Sequence, residues 1–452
     1  MRITYLHQHF RTPGENGGVR SYHLARALAS RGHDVHIVAA DHDPVPHQGY
    51  TVEAVDGLHV HRVPVPYDNA MGPRRRIVAF ARFALRSASV ARRLRGDVVI
   101  ATSTPLTVAL PGLWAVMGRK VPFVFEVRDL WPEVPIAMGY LRRPAAALTA
   151  RLLERLAYRN ADRIVALSEG MADGVVKAGG AAHKVVVVPN ISDVETFQAP
   201  DPTETTVLDR IPALAGRPIV LYCGTFGRAN GLAYMVELAQ AAARQGSPVA
   251  FVAVGKGAEY DQVVRLAERL GVWQSSFFAL PPVSKNELPA LLARATFGSS
   301  WWIDVAELEH NSANKFFDTL AAGRPVLINH GGWQADVLSE SGAGWSLSRD
   351  ADDAIRQLTD ILEGDGCVDR AGAAALELAE REFSLELLAR RFVTTVEGVE
   401  ILPRARGRRH RTCVGGSAQA PRRQVDQEAR RPYTERPRRE DAGTNDPQLK
   451  SV

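Results

Sequence analysis

Arg2-Ile3-Thr4-Tyr5-Leu6 is followed by Pro13-Gly14-Glu15-Asn16-Gly17-Gly18, then Tyr22-His23-Leu24-Ala25-Arg26-Ala27-Leu28-Ala29, Gly32 and Val35-His36-Ile37-Val38-Ala39-Ala40. This succession decides the fold. It reads as a short buried strand, a glycine loop, a helix stopped by glycine, and a second strand, which is a βαβ unit with the crossover length of a parallel sheet. Residues 219–254 repeat the pattern but not the letters. A strand at 219–223 leads into Gly224-Thr225-Phe226-Gly227-Arg228-Ala229-Asn230-Gly231, a helix runs through Arg244 to Gly246, and a strand covers Val249 to Val254.

Further strands are expected at 97–101, 123–127, 163–167 and 185–188 in the first half, and at 277–280 and 326–328 in the second. Two doubly wound α/β domains facing a cleft follow from this alternation. Residues 1–199 form the first domain, which a helix within 384–403 completes. Residues 200–218, with Pro200, Pro202, Pro212 and Pro218, form a linker, and 219–383 form the second domain. From Arg404 the composition turns to Arg, Pro, Gln and Gly, so 404–452 reads as a disordered basic tail.

The 452 residues are 46% hydrophobic and 23% charged, enough for two cores. Of the net charge of +5, the tail holds 13 Lys/Arg against 6 Asp/Glu, so the body carries 5 − 7 = −2. A near-neutral body argues against nucleic acid as a partner. Cys223, Cys367 and Cys413 are scattered and form no CxxC, as expected of a cytoplasmic protein without a disulfide framework or zinc site. No signal peptide is read before the first strand. The apolar run Leu106–Met117 is shorter than the roughly 20 residues of a membrane span, so membrane contact is expected to be peripheral.

Loops at the carboxyl ends of parallel strands bind ligands in such folds, and glycine there lets backbone N–H groups approach phosphate. Gly17, Gly18 and Gly224 are therefore donor-site candidates, although ordinary tight turns would look the same. Neither loop is a GxGxxG, and GxxxxGK[ST] is absent, which removes the main support for dehydrogenase and P-loop readings. The most specific stretch is Asn311-Ser312-Ala313-Asn314-Lys315-Phe316-Phe317-Asp318-Thr319-Leu320-Ala321-Ala322-Gly323-Arg324-Pro325-Val326-Leu327. It sets Lys315 and Asp318 three apart near the start of a short helix, where they either address a diphosphate and a ribose or form a surface ion pair.

Other signals are weaker. Asp129 sits after a strand, where such folds bind ligands, or else caps the Trp131-Pro132 turn or pairs with Arg128. His7 and His9 follow the first strand and reach the cleft or merely turn the chain. Asp350-Ala351-Asp352 resembles a helix cap more than a metal site. Between Arg74 and Arg95 there are eight arginines and no acid. Arg75, Arg82, Arg86 and Arg93 share one helical face opposite Phe80, Phe83, Ala84, Val90, Ala91 and Leu94. That face is either solvated or docks on anionic lipid.

The chain resembles the retaining glycosyltransferases of family 4, of GT-B fold, and within them a WbuB-like branch that assembles surface polysaccharides. The matching pieces span residues 1 to about 400. They are Asn16-Gly17-Gly18-Val19-Arg20 with Arg31-Gly32-His33-Asp34-Val35, Val127-Arg128-Asp129-Leu130-Trp131-Pro132-Glu133, Val188-Pro189-Asn190, Tyr222-Cys223-Gly224 with Asn230-Gly231, and Ser312 to Val326.

The resemblance implies roles. Asp318 falls where the second Glu of the family's EX7E motif holds the donor ribose, and His310 where the first Glu meets sugar hydroxyls. Both are departures, and Glu309 or backbone N–H groups could substitute for the first. Thr225 and Asn230 stand where the family has its Arg and Lys, so Arg228 and Lys315 are assigned to the diphosphate, with Asp129 as the third catalytic candidate. Asn190 and Asn314 join the donor side; His7 and Arg128 join the acceptor side. The implied reaction moves a hexosyl or N-acetylhexosaminyl unit from a nucleotide sugar, UDP-linked, to a lipid-linked or oligosaccharide acceptor. Front-face substitution is expected, with no metal and no cofactor. The rivals are a GT-B sugar-nucleotide epimerase and a non-catalytic nucleotide-sugar-binding subunit.

Overall fold

The computed structural model describes residues 1–15, 17–43, 49–68, 71–200 and 205–401. Asn16, four residues of the linker and the tail lie outside them.

The first sheet has eight strands: β1 (Arg2–Leu6), β2 (Asp34–Asp41), β3 (Thr51–Val55), β4 (Leu58–Pro64), β5 (Val98–Thr102), β6 (Phe123–Val127), β7 (Arg163–Ala166) and β8 (Val185–Val187). Their order is β3-β4-β2-β1-β5-β6-β7-β8, and all neighbours are parallel except β3 and β4. β5 and β6 are buried at every position, as helices on both faces of a parallel sheet demand. The β3–β4 hairpin lies outside the expected strands. Its signal is the two-residue turn Asp56-Gly57, both at positive φ (50° and 81°), the turn that Asp-Gly favours in hairpins.

The second sheet has six parallel strands, β9 (Ile219–Cys223), β10 (Ala250–Val254), β11 (Phe277–Leu280), β12 (Phe297–Ser300), β13 (Val326–Ile328) and β14 (Gly344–Ser346), in the order β11-β10-β9-β12-β13-β14. In each sheet the first strand sits between its successor and a later strand: β1 between β2 and β5, β9 between β10 and β12. Strand order reverses there, and a crevice opens at the carboxyl ends where neighbouring loops part in opposite directions.

After the second sheet the chain returns to the first. The helix Leu385–Glu397 packs on Arg20–Ser30, burying Leu388, Phe392 and Val396 in one cluster with Leu24 and Leu28, and Phe392 stacks on Tyr5 at 6.3 Å. Two GT-B halves, each a Rossmann-like parallel sheet, are thus joined by burial as well as by the linker.

Candidate functional site

A cavity of about 660 Å³ lies between the carboxyl ends of the two sheets. From the first half it is walled by His7 and His9 after β1, Gly17 and Gly18, Thr104 after β5, and Arg128 and Asp129 after β6. From the second it is walled by Gly224 after β9, Lys256 after β10, Lys285 after β11, Trp302 after β12 and the stretch Asn311–Lys315 with Asp318. Both crevices therefore face one space.

The helix Asn314–Ala321 brings its first turn to this wall. Phe316, Phe317 and Leu320 bury its other face, and Gly323, in the left-handed region at φ 61°, ends it. Lys315 Nζ then lies 5.0 Å from the Tyr222 ring and 5.1 Å from the Trp302 ring, and donates to Asn230 Oδ1 at 3.0 Å. Burial pulls its ammonium down to about 8, against the opposing pull of Asp318. One turn on, Asp318 does not pair with Lys315. Its Oδ2 accepts from Lys285 Nζ at 2.6 Å, and burial raises the carboxyl while Lys285 opposes the rise.

On the opposite wall, Arg128 Nη1 donates to His7 Nε2 at 3.2 Å. Burial first, and Arg128 second, hold His7 well below its ordinary value, so it is neutral and carries its proton on Nδ1. Asp129 accepts from the Thr104 hydroxyl and is raised by burial against that bond and Arg128, so neither capping nor pairing with Arg128 consumes it. Gly18 faces Asn314 across the cleft so closely that a Cβ there would stand 2.6 Å from Asn314 Nδ2. Asn190 Nδ2 donates to Ser312 O at 2.6 Å, tying the two halves together.

Beneath this wall is a buried hub. Arg20 Nε meets Glu126 Oε1 at 2.9 Å, its other nitrogens bond the carbonyls of Val188 and Pro189, and Thr102 also donates to Glu126. Burial pushes Glu126 up, but Arg20, Arg128 and Thr102 outweigh it and hold the carboxyl below its ordinary range. The hub fixes β6, and so Arg128 and Asp129, to the loop that carries Asn190.

Two expected contacts are not made. Arg228 is exposed and points across to Met138, whose carbonyl accepts at 3.2 Å, and it does not line the cavity. A turn follows at once at Gly231 in the left-handed region, and it delivers Asn230 to Lys315 instead. His310 is also outside the wall. Its ring covers Gly170, where a Cβ would sit 2.2 Å from Nδ1, and its carbonyl accepts from Ser168 Oγ. Glu309 packs against Gly331 and Gly332.

Lys285, Lys256 and Trp302 belong to the wall but not to the expected site, and Tyr222 lies buried behind Lys315. A lysine on the loop after β11 was the available signal for Lys285. Cys223 also touches the cavity, with burial pushing its thiol up to about 12, far from a nucleophilic thiolate.

Unpartnered buried atoms converge here: His7 Nδ1, Asn190 Oδ1, Trp302 Nε1, Asn311 Oδ1 and Ser312 Oγ all belong to cavity-lining residues. Buried polar atoms are ordinarily bonded, so this cluster marks a space prepared for a polar ligand. Three lysines and Arg128 make it an anion-attracting space.

Residues 17–191 match the Glycosyl transferase 4-like domain, and residues 208–377 match Glycosyl transferases group 1. WcaI of Escherichia coli strain K12, named as a colanic acid biosynthesis glycosyl transferase, is 23% identical over 394 residues, which are 82% of this chain and 93% of WcaI. HepE of Anabaena, solved with UDP and glucose, aligns with a TM-score of 0.65 and 17% identity over 88% of this chain and 100% of that one. Sucrose-phosphate synthase of Thermosynechococcus elongatus aligns with a TM-score of 0.69 and 16% identity over 88% of this chain and 99% of that one. The chain is a GT-B glycosyltransferase, made of a glycosyl transferase 4-like domain followed by a group 1 domain.

Proposed function

We propose that the chain transfers a hexosyl or N-acetylhexosaminyl unit from a UDP-sugar to a lipid-linked or oligosaccharide acceptor in polysaccharide synthesis, with retention at the anomeric carbon. The observation that carries this is the placement of Lys315. Its ammonium lies about 5 Å from two aromatic rings in a cavity whose wall also carries glycines, Lys256, Lys285 and Arg128, with Asp129 and Asp318 as the carboxylates. As the glycosidic bond breaks, charge grows on the departing diphosphate. A preorganised cation and the first N–H groups of the helix Asn314–Ala321 stabilise that charge more than they stabilise the ground state.

Asp318 and Lys285 form a preset pair at the ribose, the carboxylate accepting from a hydroxyl while Lys285 opposes the rise that burial imposes on it. Asp129 and neutral His7 face the acceptor and the transferred sugar. Cys223 is too basic for covalent catalysis, and attack on the donor's leaving-group face is the reading that retention leaves.

The acceptor reading is supported by a mixed apolar and basic surface. On the helix Pro73–Leu94, Phe83, Ala84 and Ala91 are buried, and the outward face carries Leu85 (78% exposed) and Ile77 (62%) among its arginines. The neighbouring helix Ala109–Val116 exposes Leu110 and Trp114, with Arg92 stacked over Trp114 at 5.0 Å. Arginine beside exposed aliphatic and tryptophan side chains suits an anionic lipid interface better than water. No helix among the described residues is long and apolar enough to cross a membrane.

The test is binding and turnover against a panel of nucleoside diphosphate sugars, together with flotation on anionic vesicles. Preferential UDP-sugar binding and transfer to a polyprenyl-linked acceptor are expected. Absence of binding to any nucleoside diphosphate sugar would overturn the reading. A Leu85→Ser, Trp114→Ser variant that floats like the parent would refute the membrane contact.

A further inference from the structure

A second cluster of chemistry-bearing side chains lies at the other end of the first sheet, away from the cleft. β2 begins Asp34-Val35-His36, and β4 begins Leu58-His59-Val60-His61. The two strands are parallel neighbours with His36 opposite His59. Because side chains alternate between faces, Asp34 and His36 stand on the same face as His59 and His61. The strand period thus gathers a carboxylate and three imidazoles where two short D-x-H and H-x-H strings meet.

Asp34 Oδ1 lies 3.0 Å from His36 Nε2 and 3.6 Å from His59 Nε2, and the three ligand atoms all fall within 4.8 Å of one another. Tetrahedral coordination at about 2.1 Å places ligand atoms about 3.4 Å apart; the His36 and His59 rings, stacked at 4.7 Å and 18°, close the set when the half-exposed His59 ring turns out of the stack toward the ion. His36 Nε2 is buried and its one neighbour of opposite character is the Asp34 carboxylate, so these two groups already face each other across the space an ion would share. A support shell is in place as well. Arg2 Nε holds Asp34 Oδ2 at 2.9 Å, His36 Nδ1 meets His61 Nε2 at 2.8 Å, and the Tyr50 hydroxyl meets His61 Nδ1. Two proton orders satisfy this chain: with Tyr50 donating, His36 Nε2–H faces Asp34, and with His36 Nδ1–H donating to His61 Nε2 and His61 Nδ1–H to the Tyr50 oxygen, His36 Nε2 is bare, the order an ion would select. Outer partners that fix the tautomer and aim the ligating nitrogen are the usual support of a metal-binding histidine. His59 and Asp34 are half-exposed, which gives an ion a path in and a water-filled fourth position.

We propose that Asp34, His36 and His59 form a binding site for a divalent transition metal of the Zn²⁺, Co²⁺ or Ni²⁺ class, which clips the β3–β4 hairpin edge to β2. Two imidazoles and one carboxylate favour these borderline ions over Mg²⁺ and Ca²⁺, which seek all-oxygen shells.

The test uses the full chain, stripped with chelator, and Co²⁺ and Zn²⁺ as probes; it needs no sugar donor, so its outcome is independent of the transferase reading. Calorimetry should show one site, Co²⁺ should give the visible absorption of a tetrahedral N/O ion, and saturating Zn²⁺ should raise the melting temperature. His59→Gln, at a half-exposed position, should fold like the parent and lose at least 100-fold in affinity with the Co²⁺ band. Tyr50→Phe should lose roughly tenfold, as a support residue does. Equal Zn²⁺ affinity in the parent and His59→Gln, or binding in the parent only at millimolar concentration, would overturn the site.

Discussion

Replacing Lys315 with Met separates a functional cation from a structural one, because the two roles predict opposite signs in stability. Methionine keeps the aliphatic stem between Tyr222 and Trp302 and removes the charge. Burial depresses the Lys315 ammonium from 10.5 to about 8. At roughly 1.4 kcal/mol per pH unit, the parent carries a penalty of at most about 3.5 kcal/mol at pH 7 for keeping this group charged without a ligand. Against this, Met forfeits two cation–π contacts worth about 0.5–1 kcal/mol each and one hydrogen bond worth about 1 kcal/mol. The balance favours a variant that melts at or slightly above the parent.

The pH dependence gives an independent sign. Between about 8 and 10.5 the unfolded chain holds a proton on Lys315 that the folded chain does not, so the parent gains stability as pH rises through that window. Below it both states are protonated and nothing is gained. The variant lacks this rise. Catalysis moves the other way: losing one preorganised donor to a developing anion costs about 10²–10³ in turnover, while the ground-state contact costs the donor Michaelis constant less. The assays are initial rates with saturating UDP-sugar and thermal melts from pH 7 to 10. A variant with parental turnover, or one whose activity falls only as far as its melting temperature falls, would refute the assignment.

Gly18→Ala introduces a Cβ 2.6 Å from Asn314 Nδ2, which must swing aside or hold the cleft ajar; a donor Michaelis constant raised tenfold or more is expected, with a melting temperature lowered by at most a few degrees. Glu126→Gln leaves Arg20 buried without its counter-charge and should cost about 3–5 kcal/mol in urea unfolding. Because the Glu126 carboxyl is held below its ordinary value, the parent's advantage is full above the unfolded pKa and disappears as pH falls through the lowered folded one; an advantage that persists in strong acid would contradict the pairing. Arg228→Gln, at an exposed side chain bonded to Met138, should change kcat/KM less than about threefold, and a hundredfold loss would return it to the diphosphate.

Local pattern was enough for β1, β2, β5 to β11 and β13, which are short, mostly apolar runs alternating with helices, but not for β3, β4, β12 and β14. It was also enough for the helix at Asn314, whose buried face and glycine stop are both read within ten residues. The β3–β4 hairpin and the histidine face were not expected, although Asp56-Gly57 between alternating strands and two strings of period two carry their signal. Alternation and turn chemistry are set by neighbours along the chain, which is why sequence reaches them.

The wall of the cavity is a different matter. Whether Arg228 or Asn230 turns inward depends on where the left-handed residue falls in one short loop. Lys285, rather than Lys315, meets Asp318 across 33 positions of sequence because β11 and the helix after β12 end at the same crevice. His310 packs its ring on Gly170 because the opposite half offers a position without a side chain. Spacing along the chain fixes which residues share a face of one element; which faces meet, and which loop side chain finds room between them, is decided only when strand order and burial bring distant segments into contact.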